Sequence, residues 1–195
     1  MVRAELAQIP QHGMVLGSPS ARVTVFEYGD LICGPCAKTA VSVLAPVIAS
    51  FVRSDAVRIQ FEPIVESPRS EAFALGAYAA GAQRSAWNYI LLAYLCTTPS
   101  SDGPLYEAPA LARVLGINRR RWRRQLRERR WPAQIEQSAR VALLGGFSNY
   151  PVFIIRGPGI RRSKSTGGRS VIILQAPVTL SALTQAIITA EPSSG

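Results

Sequence analysis

Two cysteines three places apart, Cys33-Gly34-Pro35-Cys36, are the residues of this sequence best suited to covalent chemistry. A cysteine placed where a strand ends and a helix begins meets the unpaired N–H groups of the helix. Those groups stabilise a thiolate and lower its pKa below the free value of about 8.5. A second, more buried cysteine can then reach back and break a mixed disulfide held by the first. The spacing therefore predicts Cys33 as nucleophile and Cys36 as resolving thiol, with Gly34 and Pro35 as the dipeptide between them. The competing reading is two core cysteines three apart by chance, but Gly34-Pro35 is turn chemistry rather than core. The third cysteine, Cys96, ends the apolar run from Tyr89 to Leu95 and reads as a packed core thiol, a regulatory or intermolecular thiol being the alternative. A structural zinc site normally takes four ligands. Beyond the pair the chain offers only Cys96 and the single His12, so no metal is expected, and His12 receives no role.

The elements that would position this pair follow from periodicity. After an irregular arm rich in turn formers (Pro10, Gly13, Gly17, Pro19), Val23 to Tyr28 reads as a buried strand. Gly29-Asp30 and the cysteines follow, then an apolar-periodic helix from Ala37 to Val52. Pro35 falls near its first turn, where a missing N–H costs nothing, and Pro46 should kink it. Val57 to Phe61 alternates as a strand. From Ser70 to about Gly145 the period is helical, with helices at Ala72–Gln83, Trp87–Leu95 and Pro109–Leu115. A further helix starts at an Asn118 cap and reaches Arg130, and another spans Ala133–Leu144. Pro99 to Pro104 and Pro132 punctuate this block. Val152–Ile155 and Val171–Leu174 suit a hairpin with a long Gly- and Arg-rich turn, and Thr179–Ala190 closes the chain as an amphipathic helix. The order is that of an α/β domain whose two halves share one sheet with helices inserted between them. The boundaries are an N-terminal arm (1–22), a first half (23–68), a helical insertion (69–145) and a second half (146–195).

Composition sets outer bounds. With 195 residues, 48% hydrophobic and 17% charged, the chain can form one domain with a real core, or one domain carrying an insertion. Disorder and collagen-like structure are excluded. No apolar run reaches the roughly 18–20 residues of a membrane-crossing helix; the nearest, Ala86 to Cys96, contains Asn88, so a soluble chain is expected. Residues 1–20 have no apolar signal-peptide core, which does not separate a cytosolic protein from a trimmed one. The net charge of +10 lies wholly in the second half: residues 1–98 hold seven basic and seven acidic side chains, residues 99–195 fifteen and five. Arg119 to Arg130 and Arg156 to Arg169 supply most of it. Trp122 and Leu126 are i and i+4, so the arginine run reads as a solvated helix docked by those two. An anionic membrane surface, an acidic client or nucleic acid is the other reading. No nucleic-acid motif accompanies the charge, so nucleic acid is not expected as a partner.

From about Ile9 to Ala190 the sequence resembles the DsbA-like branch of the thioredoxin superfamily. The residues carrying the resemblance are Leu16-Gly17-Ser18-Pro19, Val23 to Tyr28, Asp30-Leu31, Cys33 to Cys36, and Gly146-Phe147-Ser148-Asn149-Tyr150-Pro151-Val152-Phe153. The resemblance implies a thioredoxin fold with an inserted all-helical subdomain and protein disulfide oxidoreductase activity, with no cofactor. It implies that Pro151 is a cis-proline beside the sulfurs and that Tyr150 flanks the bound substrate chain; an ordinary strand-entry proline is the alternative. It also implies that Glu27, six residues before Cys33, is an acid buried beneath the disulfide that accepts the proton of Cys36. The alternative is a strand-edge glutamate facing water, against which its apolar neighbours argue. Two positions depart from the family pattern. Gly34-Pro35 resembles reducing thioredoxins rather than the Pro-His of strong oxidants, and Tyr150 replaces a small or β-branched residue. The dipeptide leaves the direction of electron flow open across a range of about 150 mV. An isomerase fits least, because the residues before Val23 cannot supply a dimerisation domain. A basic interaction protein that retains the fold is the reading from another class. The expected partners are protein or peptide disulfides and dithiols plus a redox partner, the expected state is a monomer, and the expected compartment is extracytoplasmic by family analogy.

Overall fold

A computed structural model describes residues 2–97, 107–160 and 170–192. Six strands form one sheet in the order β1-β2-β4-β3-β5-β6. They are β1 (Gln11–His12), β2 (Val15–Leu16), β3 (Val23–Gly29), β4 (Val57–Pro63), β5 (Val152–Arg156) and β6 (Ile172–Gln175). β3 and β4 run parallel, with Glu27 in register with Phe61. β5 lies antiparallel on the other side of β3, with Glu27 opposite Phe153. The helices are α1 (Val2–Glu5), α2 (Gly34–Val52), α3 (Pro68–Gly81), α4 (Ala86–Thr97), α5 (Ala108–Val114), α6 (Arg119–Gln125), α7 (Arg130–Leu144) and α8 (Leu180–Ala190).

Strand alternation divides the core. Val23, Val25 and Leu31, with Ile59, Phe61, Phe153 and Ile155, join the large cluster that holds α2, the inserted helices and α8. Tyr28, Val152 and Ile154 pack with Ala142 of α7 in a smaller cluster. Helix α2 is long and apolar enough, by length and composition, to cross a membrane, a run the sequence reading passed over. Its buried side, Cys36, Ala40, Val43, Leu44 and Val47, lies in the large cluster, as in a core helix. Around Pro46 the helix widens into π-type turns at Ala40–Leu44 and Ile48–Val52. This absorbs the missing N–H of the proline within a continuous helix.

Three local expectations change. The arm before Val23 is not irregular throughout: β1 and β2 pair with each other and then with β4. Trp87 of α4 holds them, its Nε1 donating to Met14 O at 2.9 Å and its backbone N–H to Gln11 Oε1 at 3.1 Å. The arginine-rich helix starts as expected, with Asn118 Oδ1 accepting from Arg121 N, but ends at Gln125 instead of Arg130. Trp131 Nε1 donates to Gln125 O at 2.8 Å while its ring stacks on Tyr78, centroids 4.9 Å apart. That indole shares the last helical carbonyl with the Glu128 N–H, which donates to it at 3.0 Å, and turns the chain inward. Helix α7 then begins at Arg130 with Pro132 inside its first turn, where proline is tolerated. The Pro99–Pro104 stretch and most of the Arg156–Arg169 loop lie outside the described residues.

Trp122 is buried and its Nε1 donates to Gly76 O at 3.2 Å, while the arginines of α6 are exposed. Replacing this indole should cost about 3–5 kcal/mol, and Arg124→Ala less than about 0.5 kcal/mol. Urea unfolding of Trp122→Ala and Arg124→Ala checks both; comparable losses in the two variants would mean the helix is not docked through tryptophan.

Candidate active site

The site is assembled within ten residues of chain. Strand β3 carries Glu27 and ends at Gly29. Buried Asp30 then turns the chain, its Oδ1 accepting from Ile32 N at 2.9 Å and its carbonyl from Cys33 N at 3.1 Å. Cys33 is the N-cap of α2, with extended backbone, and its Sγ accepts from Cys36 N at 3.3 Å. A sulfur in a capping position receives an N–H that no helical carbonyl can reach. The Cys36 thiol donates to the same sulfur at 2.7 Å. Cys33 is half-buried and Cys36 fully buried.

These contacts separate the two thiols electrostatically. The hydrogen bond from Cys36 is the largest influence on Cys33 and lowers its pKa; partial burial opposes it and the Cys36 N–H reinforces it. The same hydrogen bond raises the pKa of Cys36, helped by burial and by the charge of Cys33. The outer sulfur is thus the one to ionise, and the inner one holds its proton.

Glu27 lies on the large-core face of β3, fully buried, between Phe61 and Phe153 on the flanking strands. Burial pushes its pKa up to about 8; a hydrogen bond from Tyr94 lowers it and the charge of Cys33 adds to the rise. Tyr94 Oη donates to Glu27 Oε1 at 3.1 Å. Gly29 stands between this pair and the cysteines. A Cβ built there would lie 3.0 Å from Tyr94 Oη, 3.5 Å from Cys36 Sγ and 3.7 Å from Glu27 Oε1. Three proton-bearing groups therefore surround one point that only a glycine leaves open.

Beside Cys33, a groove of about 560 Å³ is lined by Cys33, Pro35, Lys38, Glu66, Tyr150 and Pro177, among others. The Tyr150–Pro151 peptide is cis; Pro151 is buried and its carbonyl accepts from Ala176 N at 3.1 Å. Gly34 makes no contact that a Cβ would disturb, and Pro35 is exposed at the helix start. Cys96 is half-buried on α4, and burial raises its pKa. Among the described residues no group of three or more His, Cys, Asp or Glu side chains is arranged to hold a metal. The sequence reading missed Tyr94, which it placed only as part of an apolar helix. Its signal was available: a tyrosine buried in such a run needs a partner for its hydroxyl.

The thioredoxin family's sequence profile matches residues 10–173. The chain belongs to the thioredoxin family. Its fold is that of DsbA-like structures with a helical insertion. Alpha-DsbA1 of Wolbachia pipientis aligns with a TM-score of 0.73 at 16% identity, covering 95% of this chain and 94% of that one. BdbD of Bacillus subtilis, in its oxidised form, gives 0.70 at 16% identity over 93% and 97%. A thioredoxin-like oxidoreductase from Silicibacter pomeroyi gives 0.68 at 24% identity over 90% of each chain. No curated protein matches the sequence.

The buried carboxyl has a consequence for stability. An acid whose folded-state pKa is raised from 4.5 to about 8 favours the fold while it is protonated in both states. That advantage is complete below about pH 4.5 and is lost as pH rises to about 8. The shift corresponds to roughly 4–5 kcal/mol. Denaturant unfolding of the reduced protein from pH 4 to 9 should show this decline, and Glu27→Gln should flatten it and be the more stable variant at pH 8.5. Equal pH profiles for the two would contradict the burial of an ionisable carboxyl.

Proposed function

We propose that the chain is a thiol–disulfide oxidoreductase that exchanges disulfides with protein or peptide substrates through Cys33 and Cys36. The observation carrying this reading is the sulfur pair at the start of α2, 2.7 Å apart, with the outer sulfur accepting two hydrogen bonds. In the reducing direction the Cys33 thiolate attacks a substrate disulfide, forming a mixed disulfide and releasing one substrate thiolate. Cys36 then loses its proton to the Glu27 carboxylate and attacks Cys33 Sγ. The Cys33–substrate bond breaks, the second substrate thiolate leaves, and the Cys33–Cys36 disulfide holds the oxidising equivalents. In the oxidising direction the same bonds form and break in reverse, and protonated Glu27 returns its proton to the departing Cys36 thiolate. The chemistry needs no cofactor beyond the two sulfurs.

Tyr150, in the groove with Cys33, and the backbone at Pro151 would hold the substrate chain in extended form. In this reading residues 23–68 and 146–195 are the two halves of the fold, 69–145 the insertion and 1–22 the arm. The exposed arginines from Arg119 to Arg130 suit an anionic surface beside the working protein. A monomer that meets a separate redox partner on the extracytoplasmic side fits the family. Net reduction of clients is the second reading. It is favoured by Asp30 and Glu66, whose charges oppose the Cys33 thiolate, and by Gly34-Pro35, since a less stabilised thiolate makes a weaker oxidant.

Two measurements test this. Cys36→Ser should accumulate a mixed disulfide with a substrate peptide, visible by mass, and Cys33→Ser should form none; a Cys33→Ser variant with full exchange activity would remove the reading. Equilibration with glutathione buffers should place the pair nearer about −270 mV than about −120 mV. A value at the oxidising end would discard the reductive direction alone.

A further inference from the structure

Glu27 has one oxygen held and one spare. Oε1 accepts from Tyr94 Oη, and the buried Oε2 has no hydrogen-bond partner. Tyr94 is itself buried, and it comes from α4, 67 residues further along the chain, rather than from the strand or helix that carries the cysteines. Its ring meets Phe61 edge-on, centroids 6.3 Å apart and planes at 83°. Phe61 is the β4 residue in register with Glu27, so the ring that fixes the hydroxyl is braced against the strand beside the carboxyl. The Gly29 gap puts Tyr94 Oη and Cys36 Sγ around the same point as Glu27 Oε1.

We propose that Tyr94, from the inserted helices, is a positioning residue of the redox centre: its hydroxyl fixes Oε1 of Glu27, the oxygen at the gap shared with Cys36, and keeps the carboxyl able to ionise and so to take the proton that Cys36 gives up. This rests on the proton-accepting role of Glu27 given above. A hydroxyl donating to a carboxylate stabilises its charged form. Within a pocket that otherwise disfavours charge, that bond decides how often the base is ready. The inserted subdomain then contributes to the exchange step through Glu27, besides covering the sheet. No bond of the exchange is altered; the proton still passes between Cys36 and Glu27, and Tyr94 keeps its own.

The test is single-turnover release of a labelled peptide from its mixed disulfide with Cys33, followed from pH 5 to 9.5. In the native protein, release should accelerate as pH rises through the titration of Glu27. Tyr94→Phe keeps the ring and its packing against Phe61 but removes the hydroxyl. Its inflection should move up by about one pH unit, so that release at pH 7 slows about tenfold. In a Glu27→Gln background, Tyr94→Phe should add no shift, because two residues acting through one group are not additive. Melting at pH 5, where Glu27 is protonated with or without the hydroxyl, checks that the variant is folded. An unmoved inflection in Tyr94→Phe, or an equal effect with and without Glu27, overturns the proposal. If Glu27→Gln has the native profile, the proposal falls with the Glu27 step, while the peptide trap in Cys36→Ser still judges the exchange reading separately.

Discussion

The structure depends on a sulfur occupying a place usually filled by oxygen. At the start of α2 the Cys33 side chain does the work of a capping serine or aspartate, accepting an N–H the helix cannot use. The thiol three residues on adds a second donor. A neutral thiol is a poor acceptor, whereas a thiolate is a strong one. The same contacts that begin the helix therefore favour ionisation of the outer sulfur, and local folding and reactivity have one cause. Around this point the chain is tightly determined. Asp30 holds the approach, Pro35 fits the first turn where its missing N–H is harmless, and Pro46 is accommodated further along by wider turns.

Beneath the sulfurs lies a group that works against the fold. A carboxyl between Phe61 and Phe153 is destabilised whenever it is charged, and the conditions that ionise it are those in which it can take up a proton. Tyr94 offsets part of that cost, and Gly29 leaves the space through which the groups face one another. Replacing Glu27 by a neutral residue would give a more stable protein near neutrality and a slower one. A stability deficit concentrated at one buried acid is the expected mark of a site selected for proton transfer.

How much of this was legible in the sequence depends on how far apart the partners are. The strand, turn and helix start around Cys33 were readable because Glu27, Asp30, Cys33 and Cys36 fall within ten residues, and their periodicity and turn chemistry speak for themselves. The buried setting of Glu27 was legible from Val25, Phe26 and Tyr28. The hairpin at Gln11–Leu16 was not, since it is held by Trp87 and Asn88, more than seventy residues away. The early end of α6 was hidden for a related reason. A run of arginines has good helix propensity, and only the stacking of Trp131 on Tyr78 shows why the helix stops at Gln125. Tyr94 was overlooked because an apolar helix with two tyrosines, Tyr89 and Tyr94, does not show which hydroxyl will meet which partner.

The central claim is that the helix start holds the Cys33 sulfur ionised in preference to its neighbour. Titrating the reduced protein by thiolate absorbance near 240 nm, with Cys36→Ala and Cys96→Ala as references, tests it most directly. One thiol should titrate below the free value of about 8.5 and move upward when the Cys36 thiol is removed, with Cys36 itself protonated throughout. A Cys33 that titrates at or above the free value, or does not respond to the loss of Cys36, would contradict it.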